Sequence, residues 1–417
     1  MRRACALGCV LLLFAFPVMG QRLLVYMDLA QTDHLKAYGV AYWALQRGWS
    51  VEWLLNYRGG SFMFDASQEI ERICNLRGVA YSILAGSDAA DIYSAIEENN
   101  MEVILLEKAP KIAVYIPPHH EPWDDAVALA LDYAEVPYDR IWDADVLAGE
   151  LAKYDWLHLH HEDFTGQFGK FYAGYRNADW YREEVQMNEK MARTLGFKKV
   201  SDLKLVVAKT IKEYVKNGGF LFAMCSATDT YDVALAADGI DIVPSVFDGD
   251  PTTPACNDKL NFENTLAFHD FEVELNAMVY EHSTIDTYLE STRRGPDIYF
   301  TLFEFSAKYD PVPTMLTQDH VAVINEFLGQ CCGYHARTVK PGCIILGEVE
   351  GTDEIKYLHG KLGRGFFTFL GGHDPEDYAH RIGDPPTRLE LHKNSPGYRL
   401  ILNNILFPAA KKKELKT

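Results

Sequence analysis

Beyond its first twenty residues the chain has no apolar run approaching the roughly 20 residues that a membrane-spanning helix requires, so membrane insertion is not expected. Positive charge is also short. Forty Lys and Arg against 59 Asp and Glu leave a formal charge of -19, and such a surface repels phosphate backbones and anionic headgroups. Nucleic-acid and membrane-surface partners are therefore not expected. The one basic run, Lys411-Lys412-Lys413, reads as a solvated end. Cysteine is scarce as well, with eight in 417 residues. The six after residue 20 (Cys74, Cys225, Cys256, Cys331, Cys332 and Cys343) do not make a disulfide framework for a chain of this length. The adjacent Cys331-Cys332 reads as core and turn packing. Internal repeats, low-complexity tracts and a compact HExxH metal signature are all missing.

The first twenty residues carry Arg2 and Arg3, an apolar run from Ala4 to about Phe16, and the small Gly20 before Gln21. This is the layout of a cleaved secretory signal and predicts an exported protein, periplasmic or extracellular. The segment holds two positive charges and no negative ones, so its removal moves the net charge from -19 to -21.

From Gln21 onward the chain alternates short apolar runs with longer amphipathic stretches, the pattern of strands and crossover helices. It predicts an α/β chain with a largely parallel sheet covered by helices on both faces. RLLVYMDL, VEWLLNY, VAYSILA and MEVILLEK read as strands of a smaller N-terminal α/β module over 21–109, with Pro110 at the boundary. KIAVYIP, DWLHLHH, FLFAMC and GRGFFTFLGG read as strands of a second unit over 110–417. Residues from about 240 to 320, rich in Pro, Asp and Asn, read as an insertion lying over that sheet. Asn56, Arg58 and Gly59 read as a plain strand-end turn, although an arginine there could reach an anionic group.

Ligands of open parallel sheets bind beyond the carboxyl ends of the strands. Four predicted strands end in chemically capable residues: Pro118-His119-His120-Glu121, His160-His161-Glu162-Asp163, Cys225, and Gly372-His373-Asp374-Pro375-Glu376. Cys225 stands where a buried strand turns into a helix. That junction holds a thiol near the unpaired N–H groups of the helix start, which favours thiolate. A sharp elbow of this kind needs small residues two before and two after the nucleophile, and Ala223 and Ala227 occupy those places. His373, with Glu376 or Asp374, supplies the residue types of a base and its orienting acid. His119, His120, Glu121, His160, His161, Glu162, Asp163 and Asp229 are candidates to line a substrate pocket.

On these residues, the stretch from about 111 to 408 resembles the class I glutamine amidotransferase-like superfamily. Its catalytic members combine a flavodoxin-like sheet with a Cys-His-Glu triad, a small-x-Cys-x-small elbow and a late His-x-Glu. Here the elbow is Ala223-Met224-Cys225-Ser226-Ala227, with alanines where glycines are usual, and two residues separate His373 from Glu376. A closer similarity is to the trehalose-utilisation (ThuA-like) branch. It is carried by Gly218-Gly219 through Cys225-Ser226-Ala227-Thr228-Asp229, and by Gly363-Arg364-Gly365-Phe366 leading to Gly372-His373-Asp374. That branch implies carbohydrate metabolism. The whole chain, including DHLKAYGVAYWAL and WLLNYRGGSF, also resembles exported bacterial proteins often named asparagine synthetase B. That activity needs an N-terminal cysteine and a Ser-Gly-Gly-x-Asp-Ser loop, whereas processing would leave Gln21 first and no such loop occurs. No nucleotide cofactor is expected.

Three functions follow as expectations. The first is a hydrolase or isomerase acting on a small polar, carbohydrate-like substrate through Cys225, His373 and Glu376 or Asp374. The second is hydrolysis by a divalent metal at the same edge, with His119, His120, His160, His161, Glu162 and His373 as candidate ligands. The third is a non-catalytic carbohydrate-binding protein using Trp123, Trp142, Trp180 and Tyr181 as sugar platforms. Aromatics of this kind are more often core.

Overall fold

A computed structural model of the chain describes residues 20–118, 125–310 and 321–410. All but Gly20 of the expected signal segment, the candidates His119, His120, Glu121 and Trp123, and the Lys411-Lys412-Lys413 run lie outside the described residues. Within them the chain is mixed α/β, with twelve α-helices and two sheets. No helix among the described residues is long and apolar enough to cross a membrane.

The first sheet is built from β1 (Arg22–Val25), β2 (Val51–Leu55), β3 (Ser61–Asp65), β4 (Ser82–Leu84) and β5 (Glu102–Leu106) in the order β4-β1-β3-β2-β5. All its pairings are antiparallel. The β2–β3 pair has a local cause: Asn56, Arg58, Gly59 and Gly60 all take positive φ, which folds β2 back onto β3 in a hairpin instead of ending the strand in a simple turn. Arg58 is committed to this corner. Its Nε lies 2.6 Å from Asp28 Oδ2, and its guanidinium lies over the Tyr26 ring.

The second sheet contains β6 (Ile112–Tyr115), β7 (Asp139–Ile141), β8 (Trp156–Leu159), β9 (Phe220–Met224), β10 (Tyr299–Leu302), β11 (Val323–Asn325), β12 (Tyr334–His335), β13 (Ile344–Val349), β14 (Glu354–Leu362) and β15 (Gly365–Leu370). Its order is β11-β10-β13-β14-β15-β9-β8-β6-β7, with β12 on β14. Pairing is parallel from β15 through β9, β8 and β6 to β7. It is antiparallel from β15 through β14, β13 and β10 to β11. Only a crossover of a dozen or more residues permits parallel pairing. Gly363-Arg364 between β14 and β15 is far too short for one, so the parallel arrangement stops there.

β6, β8 and β9 are buried along their whole length, as strands covered on both faces must be. One face packs with the helices His34–Gln46, Ala126–Ala134 and Pro396–Leu406 and with the first sheet in a continuous core. The other face packs with Val200–Lys216 and Ser226–Ala236. Of residues 240–320, β10 joins the sheet itself, and Leu266 to Phe268 donate three backbone N–H bonds to the Asp232 carboxylate. Phe271, Val273 and Ile285 enter the second core.

Gly39 marks a close helix contact: a Cβ there would meet the Ala134 carbonyl oxygen at 1.8 Å. Gly39→Ala should therefore lower stability by at least about 2 kcal/mol through overpacking, measured by urea denaturation of the full chain. An unchanged midpoint would mean that the two helices do not meet this closely.

Candidate functional site

The parallel half of the second sheet delivers its carboxyl ends to one edge, and Cys225 stands at its centre. It follows β9 directly and begins the helix Ser226–Ala236, with φ 48° and ψ −143°. A non-glycine residue in this region costs about 1–3 kcal/mol unless its surroundings enforce it. Here they do. The Cys225 N–H donates to Gly372 O at 3.2 Å, and Cys225 O accepts from both the N–H and the hydroxyl of Thr228. The end of β8 is hooked to the same helix start: Ala227 N–H donates to His160 O, and the Ser226 and Thr230 hydroxyls donate to His161 O and Glu162 O. Ala223 and Ala227 are fully buried beside the elbow, which explains why those positions are small.

The sulfur faces donors. Gln330 N–H points at Sγ from 3.3 Å, the Cys331 N–H joins it, and the His373 side chain hydrogen-bonds to the thiol. Burial by itself pushes the thiol up. His373 and the two backbone amides outweigh it and hold Cys225 below the ordinary thiol value. The segment supplying the amides comes close because residue 329 is glycine, where a Cβ would stand 3.0 Å from Cys225 Sγ and 2.9 Å from His373 N. Lys356, buried on β14, grips both ends of this segment. Its Nζ donates to Phe327 O at 2.6 Å and to Cys332 O at 2.7 Å, and it is paired with Glu326. The Asp286 carboxylate accepts the Cys332 N–H.

Histidines gather beside the thiol. The His373 ring centroid lies 4.4 Å from that of His160, 5.6 Å from His161 and 4.2 Å from His380. His158 and His160, two residues apart and so on one face of β8, form a chain with Asp125. His158 Nε2 is 3.2 Å from His160 Nδ1, and Asp125 Oδ1 lies 3.5 and 3.7 Å from the two. Burial, opposed by Asp125, drives the His160 pKa well below the ordinary histidine value. Asp125 is held low in spite of its own burial, by those histidines and by the Ala128 N–H of the helix that it caps.

The remaining expected residues divide. Glu162 accepts the His160 N–H at 2.9 Å and is raised to about 8 by burial. Asp229 is buried near Cys225, and burial, then Asp286, raise it well above the carboxylate range. Glu281 and Asp286 lie together, and burial raises both carboxyls above their ordinary values. Asp163 organises its loop, accepting from Thr165 N–H and hydroxyl, Gln167 N–H and Gly169 N–H. Glu376, expected to orient His373, instead has Oε2 2.7 Å from His392 Nδ1, and Asp374 accepts the Glu376 N–H. Trp142 stacks on Tyr115 with Lys204 over its ring, while Trp180 and Tyr181 join an aromatic cluster around Phe171 and Phe168. All three belong to the core or its margin.

Sequence reasoning missed Asp125, His158, Gly329, Gln330, Glu281, Asp286 and Lys356. The alternation in Leu157-His158-Leu159-His160 was available as a signal for His158. Backbone amides such as that of Gln330 leave no side-chain signature.

No family model matches the chain, and no curated protein matches it. Among solved structures it is similar to cytoplasmic protein STM3548 from Salmonella typhimurium, with 13% identity over 72% of this chain and 100% of that one and a TM-score of 0.35. Cytoplasmic protein STM1381 from Salmonella typhimurium LT2 is 11% identical over 72% and 100%, with a TM-score of 0.33. A beta-galactosidase from Bacillus circulans sp. alkalophilus is 10% identical over 64% of this chain and 29% of that one, with a TM-score of 0.28. Likeness at these scores carries no argument about activity.

Asp163→Ala removes the acceptor of four donors and should cost about 2–4 kcal/mol, with limited proteolysis newly cutting between residues 163 and 170. Unchanged stability and protection would show that the loop is held from elsewhere.

Proposed function

We propose that the protein is an exported hydrolase of the class I glutamine amidotransferase-like, ThuA-like kind, acting through Cys225 and His373 on an amide or ester of a small polar, carbohydrate-like compound. The observation that carries this reading is the elbow. Cys225 is held at positive φ with its sulfur between the His373 side chain and the Gln330 and Cys331 amides. A flavodoxin-like layout is supported by strand order. Numbered along the chain, the parallel strands β6, β7, β8, β9 and β15 lie side by side as second, first, third, fourth and fifth.

In this reading His373 takes the Cys225 thiol proton as Sγ bonds to the substrate carbonyl carbon. The C–N or C–O bond then breaks as His373 returns that proton to the leaving group. Water, deprotonated by His373, attacks the thioester; the acid is released and the thiol restored. The orienting acid named from the motif, Glu376, is engaged with His392, so the reading rests on the Cys225–His373 pair.

The test is turnover of a panel of p-nitrophenyl esters and sugar-acid amides by the full chain, with intact-mass detection of the acyl-enzyme. Cys225→Ala should retain the wild-type circular dichroism, lose the adduct and lower turnover by about 10³-fold or more. Full activity in Cys225→Ala, or an adduct on another residue, would overturn the proposal.

A further inference from the structure

The order of the parallel strands reverses between β6 and β8, and open α/β sheets take ligands in the crevice beyond the carboxyl ends at such a point. His160 stands there, just past the end of β8. It is fully buried, and its Nε2 has no hydrogen-bond partner. A buried polar atom left in that state costs about 1–3 kcal/mol, so the atom calls for an explanation.

The proton positions follow from the neighbours. His158 Nδ1 lies 3.0 Å from Phe222 O. A carbonyl only accepts, so His158 carries a proton on Nδ1. His160 Nδ1 lies 3.2 Å from His158 Nε2 and 3.7 Å from the Asp125 carboxylate, an acceptor that favours the His160 proton on this nitrogen. This tautomer is assigned from the network. With that proton on Nδ1, His160 Nε2 is left with its lone pair.

His161 and His373 complete the set: one ligand atom each from His160, His161 and His373 lie within 4.8 Å of one another. Backbone bonds hold the first two, with Ala227 N–H on His160 O and the Ser226 hydroxyl on His161 O. A metal-bound histidine characteristically gives its other nitrogen to an acceptor that fixes its tautomer, and the His158–Asp125 pair does this for His160. Asp125 also places a carboxylate charge behind the ligands.

We propose that His160, His161 and His373 bind one divalent transition-metal ion of the zinc type. Three imidazoles leave a fourth tetrahedral position, and the exposure of His161 opens it to water or to an oxygen ligand. The site goes beyond the thiol chemistry and does not depend on it. With the ion on one nitrogen, the other carries the His373 proton and donates to the Cys225 sulfur, so the ion-bound form is distinct from the form in which His373 acts as base.

The experiment uses untagged full-length protein, stripped with chelator and titrated with Zn²⁺ by calorimetry, with Co²⁺ absorption as a second probe. One equivalent is expected, with the visible bands of tetrahedral Co²⁺. His160→Ala and His161→Ala should weaken binding by more than about 100-fold, and His158→Ala, which acts by positioning, by about 10- to 100-fold. His161 is exposed, so His161→Ala keeps the test open if His160→Ala fails to fold. Cys225→Ala should bind a full equivalent, which separates this site from the thiol proposal. Binding of well under one equivalent by the wild type, or unchanged affinity in His161→Ala, would overturn it.

Discussion

Everything at the carboxyl edge of the second sheet is referred to the backbone of Cys225. A residue with a Cβ does not adopt φ 48° and ψ −143° by preference, and the conformation persists because several elements converge on it. Gly372 O takes its amide, Thr228 takes its carbonyl, and the tip of β8 is tied to the next turn through Ala227, Ser226 and Thr230. Strands β8, β9 and β15 are thus locked together at their ends as well as along their ladders. The positions of His160, His161 and His373 relative to the sulfur follow from that lock.

A second constraint acts from the antiparallel side. Lys356 is fully buried and an unpaired ammonium there would be very costly, so it collects Glu326, Phe327 O and Cys332 O. Those partners bracket the segment that presents Gln330 and Cys331 to Cys225. Asp286 adds a bond to Cys332 N–H, and Gln330 reaches across to Gly169 O, joining this segment to the loop organised by Asp163. The antiparallel extension of the sheet is therefore more than an edge, because it holds the donors that face the thiol.

These features were legible in the sequence to different degrees. The elbow could be read because steric demand shows as composition: a buried run, then Ala-x-Cys-x-Ala. Parallel strands β6, β8, β9 and β15 could be read because burial on both faces makes continuous apolar runs. The β2–β3 hairpin could not, since the run from Asn56 to Gly60 looks like a strand end and only the positive φ of Asn56 and Arg58 turns it back. The helix Gln68–Arg77 was also missed, although Ser67 caps it and Glu69 and Glu71 lie in its first turn. Pairing of acids with bases was least legible. Glu376 is near His373 in sequence but turns to His392, because sequence proximity sets no side-chain direction. Gln330 contributes through its main chain, to which sequence is blind.

If the elbow prepares the Cys225 sulfur for chemistry, competitive alkylation of the native, reduced full chain with limiting iodoacetamide and peptide mapping will show it. Burial pushes Cys331 and Cys332 well above the ordinary thiol value and Cys74 and Cys343 up to about 12, whereas Cys225 lies below it. Cys225 should be modified ahead of those four. A Cys225 that stays unmodified while the others react would contradict it and reduce the elbow to packing.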